Sequence, residues 1–154
     1  MEKTNVMRIL DQKKIEYTPY EYSPDIVEGT VIAATLGEPV ERVFKTLVTV
    51  SNAGTHYVFC VPVAETLDLK KAARAVGVKS IAMIKQKELL PLTGYIHGGC
   101  SPVGMKKPFK TVIHASAANY QTFFVSAGRV GKQVEINPQR LSELIKAEFY
   151  DIIA

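Results

Sequence analysis

Val6, Ile9 and Leu10 recur at helical spacing behind Thr4, whose hydroxyl can cap a helix, so the chain opens on a short amphipathic helix. The tyrosine-rich run Tyr17–Tyr22, interrupted by Pro19, predicts a short extended segment. Thr30–Leu36 predicts a short helix stopped by Gly37, and Glu38-Pro39 can open one more turn. Two β-rich runs follow, Val43–Val50 and His56–Val63, and the five residues Ser51–Thr55 between them predict a hairpin. In the second run Tyr57, Phe59 and Val61 alternate with Val58 and Cys60, so both faces are apolar. Such a strand belongs in the middle of a sheet covered on both sides. Cys60 then reads most simply as a small core residue.

Asp68 can cap the next helix, with Leu69, Ala72, Ala73 and Val76 turned inward and Gly77 ending it. Lys70, Lys71 and Arg74 fall on its outer face. Ile81–Ile84 and Thr93–His97 read as short strands around a helical piece at Lys85–Leu92. Thr111–His114, Thr122–Ser126 and Lys132–Ile136 follow as strands. Asn137 and Pro138 open a final helix with Leu141, Leu144 and Ile145 on one face. The pattern predicts a single α+β domain over residues 1–154, with helices around a mixed, mostly antiparallel sheet of six or seven strands.

Composition adds little to this, but it excludes several classes. With 154 residues, 47% hydrophobic and 22% charged, the chain has the make-up of an ordinary globular domain. No apolar run approaches the ~18 residues of a membrane span, and MEKTNVMRIL lacks the apolar core of a secretion signal. Two cysteines, Cys60 and Cys100, make neither a disulfide framework nor a zinc spacing, which fits a reducing cytoplasm. The net charge of +4 hides an asymmetry. Residues 70–110 hold nine basic side chains against the single acid Glu88, while the rest of the chain holds ten against fourteen. A local excess of this kind suits either a polyanionic partner or a solvated surface.

Two stretches could carry chemistry. Gly98-Gly99-Cys100-Ser101-Pro102-Val103-Gly104 has three glycines in seven residues, beside Lys106-Lys107. Free backbone N–H groups in such a turn can receive a carbonyl oxygen or a phosphate, although a tight loop with no ligand has the same composition. No Walker pattern is present. The second stretch is Val43-Phe44-Lys45-Thr46-Leu47-Val48, where alternation sets Lys45 on the face of Val43 and Leu47. Its amine either snorkels to water or serves a site, where it could bind an ester's oxygens. A cysteine–histidine hydrolase from Cys100 with His97 or His114 lacks a motif, and a zinc site from His56, His97, His114 and the cysteines lacks ligand spacing.

Val43–Val48, Asp68-Leu69-Lys70-Lys71, Gly98–Lys107 and Val125-Ser126-Ala127-Gly128 occur in that order, and together they resemble the YbaK/EbsC family, related to the editing domain inserted in bacterial prolyl-tRNA synthetases. The resemblance runs from Thr4 to about Ile153. It implies a freestanding aminoacyl-tRNA deacylase, most similar to those that remove cysteine from proline tRNA. The alternatives are a sister specificity such as Ala-tRNA(Pro), or a non-catalytic module that binds aminoacyl-tRNA or a synthetase. Lys45 would be the key active-site residue. Gly98, Gly99, Cys100, Ser101, Pro102 and Gly104 would hold the aminoacylated 3′ end, using the N–H groups of Gly99 to Ser101, while Tyr20, Thr46 and Ser126 line the pocket. Lys70, Lys71, Arg74, Lys106 and Lys107 would attract acceptor-stem phosphates. No cofactor or metal is implied, because the substrate's own thiol would attack its ester. Prolyl-tRNA synthetase would be the partner that supplies tRNA choice. The chain departs from the family pattern at His114, where an aspartate is common. It departs again at Val130, where an arginine is common, and at Gln133, where some members place an acid.

Overall fold

In the computed structural model, which describes residues 2–154, the elements run α1 (Asn5–Gln12), β1 (Tyr17–Glu21), α2 (Gly29–Leu36), β2 (Phe44–Ser51), β3 (His56–Pro62), α3 (Leu69–Val76) and β4 (Ile81–Met83), followed by α4 (Leu89–Thr93), β5 (Lys110–His114), β6 (Phe123–Ser126), β7 (Lys132–Ile136), α5 (Pro138–Ile145) and β8 (Glu148–Tyr150). The expected caps set three helix starts. Thr4 Oγ1 accepts from the Met7 amide at 3.2 Å, Asp68 from those of Lys70 and Lys71, and Asn137 from that of Arg140 at 3.0 Å. Each cap stabilises its helix by about 1 kcal/mol, because it satisfies an amide that the helix cannot.

The α+β architecture and the antiparallel majority match the pattern in the sequence. The strands, however, divide into two sheets, ordered β4-β2-β3-β5-β8 and β1-β7-β6. β3 is central, antiparallel to β2 and parallel to β5. One of its faces presents Phe59 and Val61 to Ala72 and Ala73 of α3, together with Ile81 and Ile152. The other presents Cys60, which packs with Phe44 and Ile113 against α1, α5 and the inner face of the small sheet, Phe123, Val125, Val134 and Ile136. The outer face of the small sheet meets α2 through Phe124, Val43 and Ala33.

Three expectations are corrected. Thr93–His97 is not a strand: Thr93 closes α4 with its hydroxyl on the Leu89 carbonyl, and Gly94 turns left-handed at φ 87°. β8 escaped the pattern because only Phe149 of its three residues is even partly buried, and it gains its strand geometry from parallel pairing with β5. Leu69, at the first position of α3, is 40% exposed, so the two alanines carry the packing of that helix.

His114 has a structural task here. Its Nδ1 accepts the Ile152 N–H at 3.3 Å and holds the last residues against the large sheet. An accepting nitrogen must be unprotonated. Burial lowers the histidine's pKa below its usual 6.5, against the opposing charges of Asp151 and Glu65. As pH falls below 6.5 the unfolded chain takes up this proton first, so stability is complete above 6.5 and declines as pH drops toward the folded-state value. The melting temperature should therefore fall between about pH 7 and pH 5, above the carboxylate range. In His114→Asn that limb should flatten; thermal denaturation across the interval checks this.

Candidate active site

The two edges of β2 are paired unequally. β3 covers one edge from Phe44 to Val50. On the other, a parallel bridge joins Val43 to Phe124 of the small sheet, and β4 covers only Thr49–Ser51. The Ile84 N–H reaches the Val48 carbonyl at 3.4 Å, so alternation points the Thr46 N–H and C=O outward into the gap between these two partners. This gap opens on a cavity of about 520 Å³ whose wall includes Lys45, Thr46, Gly98, Cys100, Ser126 and Gln133. Ile32, Phe44, Leu47, Val63 and Leu89 give it an apolar side. Five of the ten residues expected at the catalytic and substrate site thus converge, and Lys45 does share a wall with the glycine loop.

Lys45 is half-buried, and its amine makes no hydrogen bond or ion pair among the described residues. Burial lowers its pKa below the usual 10.5, opposed by the more distant charge of Glu65. Such an amine carries an under-solvated charge and interacts strongly with an oxygen on which negative charge develops.

Of the three loop amides expected to form a cradle, that of Gly99 is already engaged. The Gly99 N–H is spent on the Ile96 carbonyl at 3.0 Å. A side chain there would place its Cβ 2.9 Å from the Val130 nitrogen and 3.1 Å from the Arg129 carbonyl carbon. Gly99 is therefore required for one backbone turn to lie on another. Ser101 is fully buried, with its Oγ accepting from the Val103 amide, while Pro102 and Gly104 line a separate cleft beside Leu144 and Ile145. Tyr20 also stays outside the cavity wall. Its hydroxyl donates to Glu135 at 2.8 Å, and its ring tilts onto Phe124. Tyr22, also outside the wall, touches the lining residue Gln133, its hydroxyl accepting from Gln133 Nε2 at 3.4 Å.

None of the expected phosphate contacts lines the cavity. Lys70 and Arg74 are exposed on α3, and Lys106 and Lys107 are exposed beyond the loop. Lys71 is committed to Asp151 at 3.1 Å and to the Ile153 carbonyl at 2.9 Å. Residues not singled out for the site do reach it, among them Glu28 and Gly29 at the start of α2, as does His97, weighed only for the cysteine–histidine and zinc readings. Gln133, singled out as a departure from the family pattern at a position near the pocket, sits opposite Ser126 in the β6–β7 register.

Burial pushes the Cys100 thiol up to about 12, and the Cys60 thiol, which is fully buried, also up to about 12. Burial thus disfavours the thiolate at both, and although His97 lines the same cavity as Cys100, no hydrogen bond among the described residues joins Cys100 to His97 or His114 as a nucleophile and its base. Among the described residues no three His, Cys, Asp or Glu side chains converge as metal ligands. Among the described residues no helix is long and apolar enough to cross a membrane.

Residues 24–144 match the model of the aminoacyl-tRNA editing domain, and the chain belongs to that family. It is 43% identical over 153 residues to EbsC of Enterococcus faecalis, named as a Cys-tRNA(Pro)/Cys-tRNA(Cys) deacylase, a match spanning 98% of this chain and 93% of EbsC. It is 30% identical over 112 residues to the proline–tRNA ligase of Burkholderia orbicola, covering 70% of this chain and 19% of the ligase. Among solved structures, one described as a trans-editing enzyme for prolyl tRNA synthetase superposes with a TM-score of 0.85 at 24% identity, covering 100% of this chain and 99% of that one. The protein APE2540 gives 0.90 at 22% identity, with 98% and 100% covered. At these identities the two structures establish the fold.

The thiol environment leads to a direct expectation. Native protein at pH 8 should react with iodoacetamide at least ~30-fold more slowly at Cys100 than free cysteine does, because so little thiolate is present. Mass-spectrometric time courses of alkylation, with denatured protein as the reference, measure it.

Proposed function

We propose that the chain hydrolyses the ester of misacylated tRNA in the cytoplasm, with Cys-tRNA(Pro) as its principal substrate. The observation that carries this reading is an unpaired, partly desolvated Lys45 in a cavity without an activated nucleophile. Ser126 Oγ is hydrogen-bonded to the Gly128 amide at 3.1 Å and, among the described residues, to no base. Cys100 is held as the thiol. The attacking group must then come from the substrate or from water. EbsC supports cysteine as the amino acid.

In this reading the terminal ribose and its ester enter the gap along β2. The Lys45 ammonium donates to the ester and ribose oxygens and stabilises the negative charge that grows on them. The outward Thr46 amide and the uncapped first-turn amides of α2, at Gly29 and Thr30, are further donors in or beside the same wall. The substrate's thiol sulfur forms a bond to the carbonyl carbon as the carbon–oxygen bond to the ribose breaks. The thiol proton passes to the departing ribose oxygen, and water then opens the thioester. Exposed Lys70, Arg74, Lys106 and Lys107 add phosphate attraction that weakens with salt. Phosphate contacts carry no sequence information, so prolyl-tRNA synthetase is the proposed partner that selects the tRNA.

Single-turnover hydrolysis of Cys-tRNA(Pro) tests this. Lys45→Ala should lower the rate by ~10²-fold or more, the usual scale for losing a charge that faces a developing oxyanion. Cys100→Ala should retain it. Equal rates on alanyl and cysteinyl esters would overturn the role of the substrate thiol, and an undiminished Lys45→Ala rate would remove Lys45 from the reaction.

A further inference from the structure

The separate cleft beside Leu144 and Ile145 lies between α1, the far half of the glycine loop and the end of α5. Its volume is about 330 Å³, within the range of small-molecule sites. Ile9, Val103, Met105, Phe109, Leu144 and Ile145 give it an apolar wall, and all but Val103 keep part of their surface in water. A hydrocarbon occupant would release that water, which favours its entry. The charge of the cleft is one-sided. Lys107 and Lys146 line it, no carboxylate does, and neither amine makes a hydrogen bond or ion pair among the described residues. Lys146 is also held at a backbone cost. α2, α3 and α4 end on left-handed glycines, which adopt that conformation without strain, whereas α5 ends there on Lys146, at φ 55°. Among the described residues Lys14 is the one other non-glycine residue with a positive φ. A side chain is thus kept on the cleft wall where a glycine would relax the chain.

We propose that this cleft binds a small amphipathic anion: a monocarboxylate whose hydrocarbon body lies on the apolar wall and whose carboxylate takes Lys107 and Lys146. The polar groups of the wall narrow the choice of ligand. Its one hydroxyl, on Thr111, already donates to the Phe109 carbonyl at 3.1 Å. The Val103 amide donates to Ser101 Oγ, and the Val103 carbonyl accepts from the Tyr95 hydroxyl. A nucleobase would leave its polar edge unmet against such a wall, and a hydrocarbon has no edge to satisfy. Nor does an extended peptide find a ladder there. Thr111 belongs to β5, which is paired on both sides, by β3 and β8. The assignment does not depend on the editing reading. It does concern the same loop, because Gly98 and Cys100 line the first cavity while Pro102, Val103, Gly104 and Met105 line this one. The two ligands would lie on successive stretches of one backbone.

Amide NMR spectra of the full chain, titrated with octanoate, hexanoate, octylammonium, AMP and an acetylated peptide alternating leucine and glutamate, test this. Octanoate should shift the Val103, Met105 and Leu144 amides saturably, and each methylene between hexanoate and octanoate should tighten binding ~3-fold, the scale of burying one CH₂. Octylammonium, with the same body and the opposite charge, should give no saturable shift there. Lys107→Gln and Lys146→Gly should each weaken octanoate ~3-fold, as losing a partly exposed ion pair does. Because Lys146→Gly relaxes the backbone, its melting temperature should not fall, so its weaker binding reports the lost charge and not a lost fold. The assignment is overturned if octanoate leaves these amides unmoved, if octylammonium matches octanoate, or if both lysine variants bind octanoate as wild type does. Saturation of the cleft by AMP or by the peptide, with octanoate inactive, also overturns it and gives the cleft to nucleic acid or to a protein partner. None of these outcomes bears on hydrolysis of Cys-tRNA(Pro), which the Lys45→Ala assay tests separately.

Discussion

The contact on which the site depends is the junction where β2 leaves the small sheet and enters the large one. Val43 bridges to Phe124, and Phe44 packs edge-on against Phe123 with ring centres 5.0 Å apart. Arg42, just ahead of β2, fastens the same point. Its guanidinium binds the Thr122 carbonyl and hydroxyl, Glu38 and Glu135, and lies 5.2 Å from the centre of the Phe124 ring. Burial against an aromatic and a forked set of charge-assisted bonds fixes orientation as well as distance. Lys45, on β2, is thereby set against Ser126 and Gln133, on β6 and β7, although some eighty residues separate them in the chain. The gap between β6 and β4 is a product of the same junction.

The electrostatics of the cavity follow from what surrounds each group. Burial acts on Lys45 and Cys100 in opposite directions along the pH scale, because in both cases it disfavours the charged form. The lysine becomes easier to deprotonate and its charge less screened, while the thiol becomes inert. Ser126 and Gln133 contribute neutral polar atoms, and Lys45 is left without a carboxylate partner. A lone desolvated cation beside neutral acceptors and donors suits a neutral ester that becomes charged only as it reacts. The local basic excess lies outside this cavity, on α3 and beyond the glycine loop. The exposed lysines and the cavity lysine therefore stand in different electrostatic surroundings.

Much of the fold was legible in the chain because local physics decides it. Thr4, Asp68 and Asn137 cap their helices through bonds to amides two or three residues away, and the two apolar faces of β3 announced its central place. Where tertiary contacts compete with local preference the sequence misled. Tyr95 and Ile96 look like strand residues, but left-handed glycines at 94 and 98 enclose them in a loop, with the Tyr95 hydroxyl tied to the Val103 carbonyl. β8 is a strand only because β5 offers it an edge.

The sequence by itself determined the α+β class and the family, and it singled out Lys45 as a candidate, since these reside in periodicity and in short ordered motifs. The rest of the site was decided in three dimensions. Gly99 reads as an amide donor until its N–H is found on Ile96 and its missing Cβ under Val130. Tyr20 reads as a pocket residue until strand pairing turns it toward Glu135 and brings Tyr22 to Gln133. A hydrogen bond or a void depends on which strands lie side by side and in what register, and a one-residue shift reverses every side chain. That register is set by long-range packing at the β2 junction, which no local pattern encodes.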